Sequence, residues 1–117
     1  MGDVSAHTRK AKHNEAFLML VQKFDSLQKP SFPDWLVTVA FYIAVQYVDA
    51  KLAQEGKHPG NHPERNHFVA TLLRHLGKDY FFLKNKSERA RYIPDSEKYI
   101  SSSTVKYCID LAISRFL

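Results

Sequence analysis

The sequence predicts an all-α fold, an up-and-down bundle of about five helices around a long central helix at about residues 32–55. Three observations predict it. From Trp35 to Val48 no residue is charged and twelve of fourteen positions are apolar. A helix apolar on nearly every side belongs in the middle of a bundle. On either side of that run, apolar residues recur at helical spacing. Nowhere does the chain alternate with period two for long enough to read as a strand.

With 117 residues, the chain reads as a single domain with enough length for a real core. Its 44% apolar and 25% charged content is that of an ordinary globular protein. The charge-free run is shorter than the roughly 18 residues a membrane span needs. With no leader-like segment either, the expectation is a cytoplasmic protein that does not enter a membrane. The net charge of +5 at pH 7 admits an acidic partner such as RNA, DNA or a nucleotide.

Residues 1 to about 7 read as a loose terminus. From about Thr8 to Leu27, Phe17, Leu20, Val21, Phe24 and Leu27 mark one apolar face, with Leu18 alongside. Lys29-Pro30-Ser31 breaks this helix. The central helix follows. Ser31 with Asp34 reads as a capping box, Pro33 suits the first turn, and Gly56 suits the position just past the end. That gives about 24 helical residues, on the order of 36 Å. Its few polar residues, Asp34, Thr38, Tyr42, Gln46 and Asp49, fall within about a third of the circumference. The stripe is either the wet face of the helix or the floor of a groove or subunit interface built on Tyr42, Gln46 and Asp49.

The segment KHPGNHPERN makes a tight turn, and Pro63 suits the first position of a third helix with Asn61 or His62 as its cap. Phe68, Val69, Leu72, Leu73 and Leu76 mark its apolar face, and Gly77 is expected to stop it. The short link makes it an antiparallel neighbour of the central helix. A fourth helix is expected from Asp79 to about Tyr92, with Tyr80, Leu83, Ser87 and Ala90 in line and Ile93-Pro94 at its end. After the looser DSEKYISSS, the residues Val105, Cys108, Ile109, Ala112, Ile113 and Phe116 mark the last helix.

Few residues carry chemistry. Cys108 has no partner cysteine and lies on an apolar stripe, which suits a small buried hydrophobe rather than a nucleophile. His58, His62, Glu64 and His67 cluster, but Pro63 interrupts them and no spacing sets two ligands on one helical face, so no metal is expected. No cofactor motif is present either. His62 and Arg65 share the first turn of the third helix, where free N–H groups favour anions. Arg65 offers a bidentate donor for phosphate. The helix dipole there keeps His62 neutral and able to accept a proton. Asp49, across the turn, is placed to bind Arg65 or to orient His62. The alternative is that Asp49, His62 and Arg65 only fasten two helices and cap one.

The stretch AFYIAVQYVDAKLAQEGKHPGNHPERN resembles the core of HEPN-type domains, small all-helical proteins. Phe41, Tyr42 and Ala44 match their aromatic segment, and Gly56 and His62 match the glycine and loop that follow. The segment SERARYIP, with Ser87, Ala90, Arg91 and Tyr92, is similar to the stretch before their last helix. The resemblance spans about Trp35 to Leu117. It implies a helical bundle, commonly a homodimer, that associates with a nucleotide or RNA. It also implies a place in a toxin–antitoxin or defence system beside a nucleotidyltransferase partner. Ribonuclease members carry an arginine followed, after four to six residues, by a histidine. Here Arg9 precedes His13 by three intervening residues and Arg65 precedes His75 by nine, so the motif is not matched. Gln46 stands where some relatives place a histidine.

The expectation is therefore a non-catalytic HEPN-like domain that binds a nucleotide, RNA or a protein partner, with Tyr42, Gln46, Asp49, His62, Arg65, Arg91 and Tyr92 as candidate ligand residues. The alternatives are a ribonuclease built on His62 and Arg65, and a purely structural interaction module.

Overall fold

A computed structural model describes residues 3–24 and 30–117, and of residues 22–24 it describes the backbone alone. Among these residues it holds five α-helices, one 3₁₀ turn and no strand. The helices are α1 (Val4–Phe24), α2 (Pro33–Gln54), α3 (His62–Leu72), α4 (Arg74–Tyr92) and α5 (Ser102–Phe116), with the 3₁₀ turn at Ser96–Lys98. The fold is all-α. As the charge-free run requires, α2 lies at the centre and touches every other helix. Val37, Ala40, Ile43, Ala44, Val48 and Leu52 on α2 are fully buried. Buried positions cover roughly two-thirds of its circumference.

At 22 residues, Pro33–Gln54, α2 is close to the sequence estimate of about 24 and extends past both ends of the charge-free run. An 18-residue window is long and apolar enough to cross a bilayer, yet 67% of it is buried within the protein. The helix starts one residue later than the expected capping box. Phe32 occupies the cap position without a side-chain cap, and Pro33 opens the helix, where its missing N–H costs nothing. Asp34 then sets a negative charge at the positive end. The other end follows expectation. Lys57 N donates to the Leu52 carbonyl at 2.8 Å and Gly56 N to that of Ala53 at 3.1 Å. Gly56 takes φ +72°, so the helix closes in a Schellman motif.

The start of the chain departs from expectation. Asp3 caps α1, its Oδ1 accepting from Ala6 N at 2.7 Å, so Val4–His7 form the first helical turn rather than a loose terminus. The inward face differs too. It runs through Val4, His7, Ala11, Asn14, Leu18 and Val21, of which Ala11 and Leu18 are buried. Phe17 and Leu20, expected to face inward, are 45% and 55% exposed. His7 Nδ1 bonds Gln46 Oε1 at 2.9 Å and fixes this rotation. The side chain of Phe24 and all of Leu27 lie outside the described residues.

Helix α3 begins where expected. Asn61 is its cap, accepting from Glu64 N at 2.8 Å, with Pro63 in the first turn. It stops at Leu73 rather than Gly77. Leu73 leaves helical geometry (φ −123°, ψ 43°), and Leu76 N bonds its carbonyl at 2.9 Å to start α4. The break lets Leu73 and Leu76 both bury, while Leu72 stays half exposed. Gly77 and Lys78, expected outside a helix, lie inside α4. The buried line Tyr80, Leu83, Ser87 and Ala90 is as expected. In α5, Ser101 caps Thr104 N at 3.1 Å, and Val105, Cys108, Ile109, Ala112 and Phe116 are buried.

Candidate functional site

The Schellman turn after α2 and the cap at Asn61 return the chain so that the first turn of α3 meets the far half of α2. There Arg65 lays its guanidinium side-on against Asp49, with Nε to Oδ1 at 2.7 Å and Nη2 to Oδ2 at 3.0 Å. Both side chains are nearly withdrawn from solvent, at 12% and 9% exposure. Burial works against the Arg65 charge. The hydrogen bond and charge of Asp49 outweigh it and hold the pKa above the ordinary value. The third guanidinium nitrogen, Nη1, lies 3.1 Å from His62 Nδ1. Arginine has no acceptor, so Nδ1 is unprotonated and the ring proton sits on Nε2. Loss of hydration lowers the pKa of His62, and the charges of Arg65, Arg91 and Lys84 lower it further, against a smaller pull from Asp49. His62 is thus neutral at pH 7, with an N–H to offer.

From the other side α4 contributes Arg91. Its guanidinium lies 5.7 Å from the Tyr42 ring and 5.0 Å from that of Tyr92. Arg91 Nη1 donates to the Tyr42 hydroxyl at 3.2 Å and Nε to the Ser87 carbonyl at 3.3 Å. Nη2 has no protein partner among the described residues. Two aromatic faces so hold a cation in place with one edge free. Lys84 lies two turns back on α4 and is paired with Glu88, which leaves Arg91 as the surplus positive charge. Between these groups lies a cleft of about 240 Å³, floored by Phe41 and walled by His62, Asn66, Lys84, Glu88, Arg91 and Tyr92. The Phe41 and His62 rings stack at 6.4 Å.

Of the residues singled out from sequence, His62, Arg91 and Tyr92 line this cleft, and Tyr42 holds Arg91 from behind it. Asp49 and Arg65 stand behind it and position His62. Gln46 turns to α1 and is engaged by His7. Phe41, named above only as part of the matched aromatic segment, floors the site, and Lys84, Glu88 and Asn66 join it without having been expected as ligand residues. Lys84, Glu88 and Arg91 follow i, i+4, i+7, the pattern of one helix face. Among the described residues no group of three or more His, Cys, Asp or Glu is placed to hold a metal ion. Cys108 is fully buried, and burial pushes its thiol up to about 11, which suits the packing role.

Compared with protein-family models, with curated proteins and with solved structures, the chain finds no match.

Proposed function

We propose that this chain is a non-catalytic binding module for a phosphate-bearing ligand, a nucleotide or RNA. The supporting observation is the pairing, across one cleft, of Arg91 with a free guanidinium edge and His62 with a free Nε2–H. Both groups donate, and a phosphate oxygen accepts from both. Tyr92, 72% exposed, offers a ring for a base. This reading agrees with what a HEPN-like domain implies, including pairing as a homodimer and a nucleotidyltransferase partner in a toxin–antitoxin or defence system, and with the cytoplasmic location expected above.

The tautomer of His62 weighs against the ribonuclease reading. Nδ1 is spent on Arg65, Nε2 is already protonated, and the lowered pKa disfavours a second proton, so the ring is a poor general base and a poor general acid at neutral pH. Each guanidinium nitrogen of Arg65 is already engaged by Asp49 or His62, and the Asp49 carboxylate neutralises its charge, so Arg65 is a poor phosphate clamp. The test is binding of AMP to the wild type, Arg91→Gln and His62→Gln. A loss of roughly tenfold in each variant is expected from one charge-assisted or neutral hydrogen bond. Equal affinity in all three removes the site.

A further inference from the structure

The cleft at His62 is one of three hollows that follow each other around the C-terminal end of α4. Arg91 lines both it and a second hollow of about 190 Å³, shared with Asp34, Trp35 and Thr38 of α2. Ala90 lines both that hollow and a third of about 250 Å³. The third is walled by Lys86 and Arg89 of α4, by Tyr99 after the 3₁₀ turn and by Thr104 of α5. Helical geometry makes this division: Lys84 and Arg91 lie seven residues apart on one face, Lys86 and Arg89 lie three apart on nearly the opposite one. The basic residues of α4 thus serve both sides of its end.

Cations and exposed aromatic rings interleave along this path. Tyr92 stands beside Arg91, Trp35 in the middle, and Tyr99 beside Arg89 and Lys86. Trp35 and Tyr99 are 57% and 81% exposed. Arg89 has no ion pair among the described residues, and Lys86 lies over the Phe82 ring at 5.5 Å without a carboxylate. Asp34 is the one acidic residue of the middle hollow, so a phosphate is disfavoured there and a base on Trp35 is not. An ion alone has no use for three rings, and an apolar ligand has no use for three cations.

We infer that the three hollows form one track for single-stranded nucleic acid, with a phosphate at Arg91, a base on Trp35 and a second phosphate at Lys86 and Arg89 beside a base on Tyr99. The inference rests on the binding role proposed for the His62 cleft and extends that site along two further hollows, which commits the ligand to a single strand. Stacking on aromatic rings with cations between them is how single strands are held without sequence readout.

The experiment measures binding of AMP and of labelled ribo- and deoxyribo-hexanucleotides to the full chain by fluorescence anisotropy and competition. Hexamers are expected to bind at least tenfold more tightly than AMP. Arg89→Gln and Tyr99→Ala, both surface changes, are expected to weaken hexamer binding five- to tenfold and to leave AMP within twofold. Arg91→Gln is expected to weaken both. With three cations engaged, log affinity against log salt has a slope of about −2, which falls to about −1.4 in Arg89→Gln. If Arg89→Gln and Tyr99→Ala leave hexamer binding unchanged while Arg91→Gln weakens AMP, the track is overturned and the cleft stands. If neither AMP nor hexamer binds, both fall. A duplex or polyglutamate that displaces the hexamer as well as a single strand does also overturns the track.

Discussion

Asp49 of α2 and Arg65 of α3 meet through two near-parallel hydrogen bonds, at 2.7 and 3.0 Å, beneath the surface of the protein. Neither residue faces the cleft, yet the pair sets where His62 stands, because the remaining guanidinium nitrogen holds the imidazole. Removing one partner strands the other charge with little water to solvate it. Asp49→Asn is expected to cost about 3 kcal/mol, and Arg65→Gln a similar amount. The double variant is expected to cost about 2 kcal/mol less than the sum of the two. Urea denaturation of the four proteins reads this directly. Strict additivity would show that the pair does not couple the helices.

The imidazole itself makes a second prediction. In the folded protein the pKa of His62 lies below the ordinary value of about 6.5, first through lost hydration and then through Arg65, Arg91 and Lys84. As pH falls, the unfolded chain takes up this proton before the folded one does. The contribution of His62 to stability is therefore complete above about pH 6.5 and is lost as pH falls from there through the folded value. His62→Gln is expected to flatten the fall of stability with acid below pH 6.5. In nitrogen NMR, His62 is expected to show Nε2–H and to titrate below 6.5. Arg91→Gln, which removes one repelling charge, should move that titration upward. A titration at or above 6.5, or Nδ1–H at neutral pH, contradicts the geometry.

The rotation of α1 shows what the sequence could and could not reveal. The central helix and the Asn61 cap are legible because a charge-free run and an Asn-x-Pro start each have one economical solution. The face of α1 is not legible, because its inward line is made of small and polar residues, with Ala11, His7 and Asn14 between Val4, Leu18 and Val21. The larger residues Phe17 and Leu20 suggest a different face, and tertiary contact with α2 overrides them. At the cleft and just behind it, His62 and Tyr42 are legible from a helix start and a polar stripe. Lys84 and Glu88 are not, since a face turned to a cleft and a face turned to water carry the same i, i+4, i+7 charges. The α1 register can be checked. Leu18→Ala is expected to cost about 3 kcal/mol, and Leu20→Ala to stay within about 0.5 kcal/mol. Thermal denaturation that ranks Leu20 above Leu18 would restore the face first expected.

Two glycines test whether backbone angle or space governs this fold. A Cβ added at Gly56 or at Gly77 meets nothing within 4 Å, so neither position is crowded. They differ in conformation. Gly56 ends α2 at φ +72°, where an L side chain meets its own backbone, whereas Gly77 lies within α4 and has no positive φ. Gly56→Ala is expected to destabilise by about 1 kcal/mol. Gly77→Ala is expected to stabilise by about 0.5 kcal/mol, because alanine loses less chain entropy in a helix. The first substitution also acts at the cleft. The turn closed by Gly56 aims the chain toward Asn61 and so sets the approach of His62 to Arg65, and Gly56→Ala should loosen AMP binding where Gly77→Ala does not. Opposite signs from two open positions would separate strain from packing. If both variants destabilise, the stop of α3 lies at Gly77 after all, and the break at Leu73 is not the one the protein uses.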